Sequence, residues 1–429
     1  MKETLAPSRW YRIIPVVFIT YSLAYLDRAN FGFAVAGGMD KDLNITPSVA
    51  SLLGSLFFLG YFFFQIPGAI YAAHKSSKKL IFWSLILWGA FAAATGMVSN
   101  VAVLVVIRFM LGVVESAVMP AMLILLSQWF TKTERSRANT FLILGNPATV
   151  LWMSVLSGYL IHSMGWRWLF IIQGAPAILW ALVWWKLISE KPKDAPWLSN
   201  AEKQQLEERL LEEQQGIKPV KNYAKAFRSK VVILMCIQYL LWSVGLYGFV
   251  MWLPSIINAA PNSDIVSTGW LSSVPYILAI FCMLGASYFS DKTLKRKIFI
   301  WPFLLIGAAA FYGSYLLGPD HFWLSFTLLV IAGGAMYAPY GPFFALITEV
   351  LPQNVSGGAI GLINCMGALG SFGGSYIVGY LNGSTGGFGA SYVLMSSALL
   401  LSGLITIVIH SRPTGKTKDV TIARVTDNS

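Results

Sequence analysis

Two adjacent opposite charges, Asp27 and Arg28, interrupt the first apolar stretch, residues 13–36, and a second set, Arg108 and Glu115, interrupts the fourth, residues 101–127. An ionisable side chain inside hydrocarbon is costly unless it is paired or faces a protein cavity, and such positions mark substrate and proton pathways. Arg108 and Glu115 are seven residues apart, two helical turns, and so share a helix face. Two acids and two bases allow two readings. In one, buried ion pairs clamp the first and fourth spans together. In the other, the carboxylates carry protons and an arginine anchors an anion. Buried ion pairs add little net stability compared with well-packed apolar residues, which favours the second reading. Burial disfavours a charged carboxylate and a neighbouring arginine favours it, so an anion that competes for the arginine changes the proton occupancy of the acid. That exchange is coupling. The planar guanidinium offers two parallel N–H donors to a carboxylate or phosphate, and the expected ligand is therefore an anion.

Uncharged polar residues within the apolar stretches complete such a pocket. Tyr25 lies near Asp27, Tyr61 and Gln65 lie one turn apart in the second stretch, and Asn146 and Asn364 interrupt the fifth and eleventh. Several hydroxyl and amide groups around one arginine suit a small polyhydroxylated acid. Each of them alone is equally compatible with a hydrogen bond to a neighbouring helix.

The elements that position these residues are membrane spans. Of 429 residues, 56% are apolar and only 12% are charged, against about 25% charged in a soluble globular protein. Stretches of the length needed to cross a bilayer, about 20 residues, recur near 13–36, 49–72, 80–98, 101–127, 139–161, 168–188, 229–257, 267–289, 298–317, 322–345, 355–381 and 389–410. The fold class is an all-α integral membrane protein with twelve transmembrane helices. The net charge of +12 is not a nucleic-acid surface: with both termini cytoplasmic, 27 of the 31 Lys and Arg residues fall in inside segments, and only Lys41 and Arg167 fall outside. This is the positive-inside asymmetry. Cys236, Cys282 and Cys365 all lie in spans, and the four histidines are scattered among different connections, so neither spacing points to a metal site. Ala34-Val35-Ala36 imitates a signal-peptide cleavage site, but the charges at Asp27 and Arg28 and the length of the stretch argue against cleavage.

The longest polar connection splits the spans six and six. The expected organisation is an N-terminal half, 1–189, a cytoplasmic linker, 190–228, a C-terminal half, 229–412, and a cytoplasmic tail, 413–429. Within the linker, residues 200–215 carry Leu206, Leu210 and Leu211 as a narrow apolar stripe on a charged helix. The basic run after the second span, residues 74–79, has a counterpart after the eighth, residues 291–297, and parallel repeats of this kind place the substrate site between the halves near the midplane. Span eleven is rich in glycine; pairs four apart, Gly357 with Gly361 and Gly370 with Gly374, suit close helix packing. Pro147, Pro254, Pro275, Pro339 and Pro342 are expected to bend their spans.

Four segments carry a resemblance: Tyr25-Leu26-Asp27-Arg28-Ala29-Asn30, the run from Gly60 to Gly68, Arg108-Phe109-Met110-Leu111-Gly112-Val113-Val114-Glu115, and Gly165-Trp166-Arg167-Trp168. From about residue 10 to residue 412 the chain resembles the major facilitator superfamily, and within it the anion:cation symporters that import sugar acids. The resemblance implies that Asp27 and Glu115 carry protons, that Arg28 engages the substrate carboxylate, that Tyr25, Tyr61, Asn146 and Asn364 contact hydroxyls, and that Arg108 is a conformational arginine. It also implies a cytoplasmic gating motif with an aspartate. The first half has Ala73 at that position, whereas the second keeps Asp291 beside Lys292. Many relatives place a tryptophan in the tenth span where this chain has Phe343-Phe344. Phenylalanine lacks the indole donor, which fits a substrate with an apolar group there, such as a 6-deoxy sugar acid like rhamnonate.

The expected protein is a twelve-helix inner-membrane importer of a monoanionic sugar acid, driven by protons. It is expected to act as a monomer in the lipid bilayer, with the organic anion as partner and without nucleic acid. No cofactor is expected, and no nucleophile, metal cluster or phosphate-binding loop points to an enzyme. The rivals are an exporter or exchanger of another organic anion and a non-transporting anion sensor on the same scaffold.

Overall fold

The computed structural model describes residues 6–215, 230–260, 263–293, 295–350 and 353–409. The expected tail, 413–429, and the end of the linker, 216–228, lie outside them. So do the side chains of Asp27, Asp291 and Glu349, and with them Ala73, Gly357 and Gly358, although these residues belong to helices.

Among the described residues, twelve long helices make up the bundle. In the first half they are α1 (Ser8–Ala36), α2 (Pro47–His74), α3 (Ser77–Met97), α4 (Val101–Glu115 and Val118–Trp129), α5 (Lys132–Met164) and α6 (Trp166–Leu187). In the second half they are α7 (Lys230–Asn258), α8 (Ile265–Thr293), α9 (Trp301–Leu317), α10 (Phe322–Tyr337 and Tyr340–Val350), α11 (Gln353–Thr385) and α12 (Gly389–Val408). Eleven of them, α2 to α12, are long and apolar enough among the described residues to cross a membrane. The twelfth, α1, is 29 residues long and packs against α5, α6 and α7. No β-strand occurs among the described residues.

Local sequence explains the helix starts. Thr46 accepts from Val49 N with Pro47 at the first turn, Ser76 accepts from Lys79 N, and Asn100 accepts from Ala102 N and Val103 N. Each satisfies backbone donors that a helix start leaves unpaired. Thr131 and Glu134 form a reciprocal capping box at the start of α5. Interruptions follow from proline, which has no N–H to give the carbonyl four residues back. Pro120 deprives Ser116 in this way and Pro342 deprives Ala338, which is where α4 and α10 break. Pro147, Pro254 and Pro275 instead lie inside unbroken helices.

The packing is twofold repetitive. In the first half α1 packs on α5 and α6, α3 on α4 and α6, and α2 on α4; in the second half α7 packs on α11 and α12, α9 on α10 and α12, and α8 on α10. Every one of these contacts recurs six helices later. The halves meet through α2 with α11, α5 with α8, and α1 with α7, an arrangement that the same repetition maps onto itself. Glycine sets the closest approach: a Cβ at Gly370 would collide with Leu240 O and one at Gly374 with Val244 O, so the expected pair lets α11 lie directly on α7. Gly361 faces open space.

The linker folds back on the first half. Its helix Asn200–Gln215 buries Leu206 and half-buries Leu210, while Leu211 stays exposed. Just before it, Trp197 stacks on Trp129, ring centroids 5.2 Å apart.

Candidate functional site

The side chains that line the central cavity come from seven helices of both halves, and on α2, α5, α7 and α10 they recur at three- or four-residue steps, the period that keeps them on one face. Helix α1 supplies Tyr21 and Arg28, α2 supplies Phe58, Tyr61 and Gln65, α4 supplies Met119, and α5 supplies Ile143 and Asn146. From the second half come Tyr239, Ser243 and Tyr247 on α7, Tyr340 and Phe344 on α10, and Asn364, Gly367, Ala368 and Ser371 on α11. Arg28 is the one charged side chain in that wall among the described residues.

Arg28 is buried and donates from Nη2 to Glu115 Oε1 at 3.2 Å. Glu115 is fully buried and is the last residue of the first segment of α4, immediately before the break. The pair therefore joins α1 to α4 inside the first half, as the clamp reading requires, while Arg28 also faces the cavity, as the anchor reading requires. Three rings surround its guanidinium, Tyr61 at 5.0 Å, Tyr25 at 5.4 Å and Phe57 at 5.5 Å from Cζ. Ring faces attract a cation without using its N–H donors, so these contacts hold the guanidinium plane while leaving its hydrogen-bond capacity for a carboxylate.

Arg108 is buried away from the cavity wall. Its Nε donates to Leu53 O on α2 at 3.3 Å, and its Cζ lies 4.8 Å from the Phe31 ring and 6.0 Å from the Phe57 ring. Phe57 thus stands between the two arginines, facing both. This placement suits a residue that ties α4 to α2 rather than one that meets a ligand.

Of the other sequence-predicted residues, Tyr61, Gln65, Asn146, Phe344 and Asn364 all reach the cavity. Asn146 is buried, and its Oδ1 makes no hydrogen bond to the protein, which leaves an acceptor at the cavity wall. Gln65 Oε1 accepts from Cys365 Sγ at 3.4 Å across the boundary between halves. Tyr25 departs from expectation. It is fully buried behind Arg28 rather than in the wall, and its hydroxyl lies 3.4 Å from that of Tyr337 on α10. Three residues before Arg28 on the same helix, it backs the guanidinium instead of facing the ligand. Lys292 is exposed at the end of α8, remote from the cavity. Tyr21, Tyr239, Ser243, Tyr247 and Tyr340 were not singled out from sequence. The signal was the spacing of Tyr239, Ser243 and Tyr247, three polar residues at successive four-residue steps in an apolar helix.

The cavity is closed at the end where α1 and α7 finish. Asn258 Nδ2 donates to Ala36 O at 3.0 Å, and Trp270 Nε1 donates to the Tyr159 hydroxyl at 3.3 Å, both between halves. At the opposite end, Arg9 is almost wholly buried and binds within the first half: Nη1 to Trp129 O at 2.7 Å, Nη2 to Glu134 Oε1 at 2.8 Å and Nε to Ala6 O at 3.0 Å. Burial pushes the Glu134 carboxyl up, but the hydrogen bonds and charge of Arg9, with those from Thr131, outweigh it and hold the group below the usual glutamate range. Glu190, after α6, caps α3: it accepts from Ser77 N and Lys78 N, both at 2.9 Å, and from the Ser76 hydroxyl. A carboxylate thus meets the basic loop where the first half has Ala73, but it arrives from α6.

The family model described as Major Facilitator Superfamily matches residues 17–375. The chain belongs to the major facilitator superfamily. It is a multi-pass membrane transporter rather than an enzyme, and transporters named for organic and sugar acids are among its curated relatives. The putative tartrate transporter of Agrobacterium vitis is 28% identical over 406 residues, spanning 93% of this chain and 90% of that protein. The quinolone resistance transporter of Acinetobacter baumannii is 28% identical over 411 residues, spanning 94% of each. The D-galactonate transporter of Escherichia coli is 24% identical over 421 residues, spanning 94% of this chain and 95% of that protein. Among solved structures, that of a D-xylose-proton symporter superposes with a TM-score of 0.75 at 14% identity, covering 95% of this chain and 99% of that one, and shares the major facilitator fold.

Proposed function

We propose that the protein imports a monoanionic sugar acid together with protons, by alternating access of the two halves. The observation that carries this reading is the Arg28–Glu115 pair at the cavity wall. Protonation of Glu115 removes the charge that holds Arg28, and the guanidinium then turns its parallel donors to the substrate carboxylate. Deprotonation restores the pair and displaces the anion. Proton and anion therefore enter and leave the cavity together. Asp27 is the second coupling acid of the reading; two protons per monoanion would carry net positive charge inward and one would be electroneutral.

Charge sets the substrate class. A dicarboxylate such as tartrate would bring a second anionic group into a wall whose one described charge is Arg28, whereas a monoanion is matched. Hydroxyl and amide groups from Tyr61, Gln65, Asn146 and Asn364 suit an aldonate. Phe344, stacked parallel to Tyr340 with centroids 6.4 Å apart, presents an apolar face and suits a 6-deoxy aldonate such as rhamnonate. The D-galactonate transporter among the relatives supports an aldonate. The basic loops lie at the end opposite the closed one, and the positive-inside asymmetry supports a reading with both termini in the cytoplasm of an inner membrane and the cavity on the cytoplasmic side of the closure.

A second reading has one observation behind it. Seven aromatic rings line the cavity, and a quinolone resistance transporter is among the relatives, which fits an exporter of an aromatic acid. Proteoliposome uptake of labelled aldonates and aromatic monocarboxylates, with the pH gradient imposed in each direction, separates the two. Concentrative aldonate uptake driven by external acid supports import; movement of aromatic acids alone, against the proton flow, supports the second reading.

A further inference from the structure

Resting on the sugar-acid reading, we propose that Tyr239, Ser243 and Tyr247 of α7 form the subsite that reads the hydroxylated tail of the substrate and sets specificity. Arg28, on α1, is the only described charge in the cavity wall, and every described wall residue of the second half is uncharged. A ligand held by its carboxylate at Arg28 that reaches across the cavity meets only uncharged groups there.

Helix α7 is the element built to receive that end. Its three hydroxyl-bearing residues rise about 6 Å per step along one face and all line the cavity. They are also held in place. The Tyr239 ring stacks on Phe343, centroids 5.2 Å apart and planes 16° from parallel, and meets Phe344 edge-on at 6.0 Å. It passes Gly367 of α11 so closely that a Cβ there would collide with it. The Tyr247 ring packs edge-on against Phe58 of the other half at 4.8 Å. Rings fixed on several sides present their hydroxyls at defined positions, and a site of fixed hydrogen-bonding groups rejects an analogue lacking the matching hydroxyl far better than an apolar pocket rejects an extra one. The adjacent ring faces cover the C–H side of a sugar chain. The subsite thus selects a polyhydroxylated monocarboxylate over an unsubstituted one of equal length.

The test is proton-driven uptake in proteoliposomes by wild type, Tyr239→Phe, Ser243→Ala and Tyr247→Phe. The substrates are a hexonate, its singly deoxygenated analogues and unsubstituted hexanoate. Wild type is expected to prefer the hexonate. Each variant is expected to raise KM for the hexonate about tenfold, to leave the maximal rate within about twofold, and to leave unchanged the KM of the one deoxy analogue that lacks its partner hydroxyl. Hexonate uptake by wild type with variant KM values unchanged, or raised equally for every analogue, overturns the subsite and leaves the sugar-acid reading intact. Absence of hexonate uptake by wild type overturns both.

Discussion

Arg28 on α1 and Glu115 on α4 are 87 residues apart in sequence and 3.2 Å apart in space, the guanidinium at the wall of the central cavity and the carboxylate behind it at the break in its helix. This pair serves both readings of the buried charges. It ties two helices of one half together, and in the proposed function a proton on Glu115 frees the arginine for an anion.

Arg28→Lys keeps the charge but loses the planar fork and its fit among Tyr25, Phe57 and Tyr61. The expected result is a rise in KM for the transported acid of about 30-fold, the scale of a lost charge-assisted hydrogen bond. Uptake kinetics over a substrate series check it, and an unchanged KM would remove Arg28 as the anion anchor.

Asp27→Asn is expected to abolish accumulation against a gradient while sparing exchange of internal for external substrate. Counterflow and concentrative uptake measured on one preparation separate the two activities. Full accumulation by the variant would take Asp27 out of the coupling scheme.

Much of this site was legible in the amino-acid order. Charges in apolar stretches stand out because hydrocarbon tolerates so few, and so Asp27, Arg28, Arg108 and Glu115 could be singled out directly. Which acid meets which base could not, since partners on different helices depend on helix rotation and packing. Tyr25 shows the same limit: its type and its place near Asp27 pointed to the ligand, yet its ring packs against the Arg28 guanidinium and its hydroxyl lies beside that of Tyr337. The α7 hydroxyls escaped notice for another reason. Tyrosine and serine are ordinary in membrane helices, and only their spacing marked them. The glycine pair Gly370 and Gly374 was readable because a missing side chain has one main use in helix packing.

Arg9 and Glu134 hold the basic end of the first half. Since Glu134 titrates below its unfolded value, their contribution to stability is present above the usual glutamate range and is lost as pH falls through the depressed value. Glu134→Gln is expected to lower stability at neutral pH by about 2 kcal/mol and to flatten the acid limb of a melting-temperature profile in detergent. A variant profile parallel to wild type down to pH 3 would refute the assignment.

Gly374→Leu is expected to prevent α11 from seating on α7 and to abolish both folded yield and transport, because Val244 O occupies the space a side chain needs. Gly361→Ala, at a position facing open space, is expected to retain near-normal yield. Size-exclusion profiles of the two variants after membrane extraction make the comparison, and equal behaviour would contradict the packing described.

In the proposed cycle a proton on Glu115 and an anion on Arg28 move together. This coupling is tested most directly by loading proteoliposomes with a pH-sensitive dye, adding the transported acid without an imposed gradient, and recording internal pH for wild type and Glu115→Gln. Internal acidification on substrate entry is expected in wild type and none in the variant, which still exchanges labelled substrate. Substrate entry into wild-type vesicles without proton movement, or acidification by the variant at the wild-type rate, would contradict this coupling.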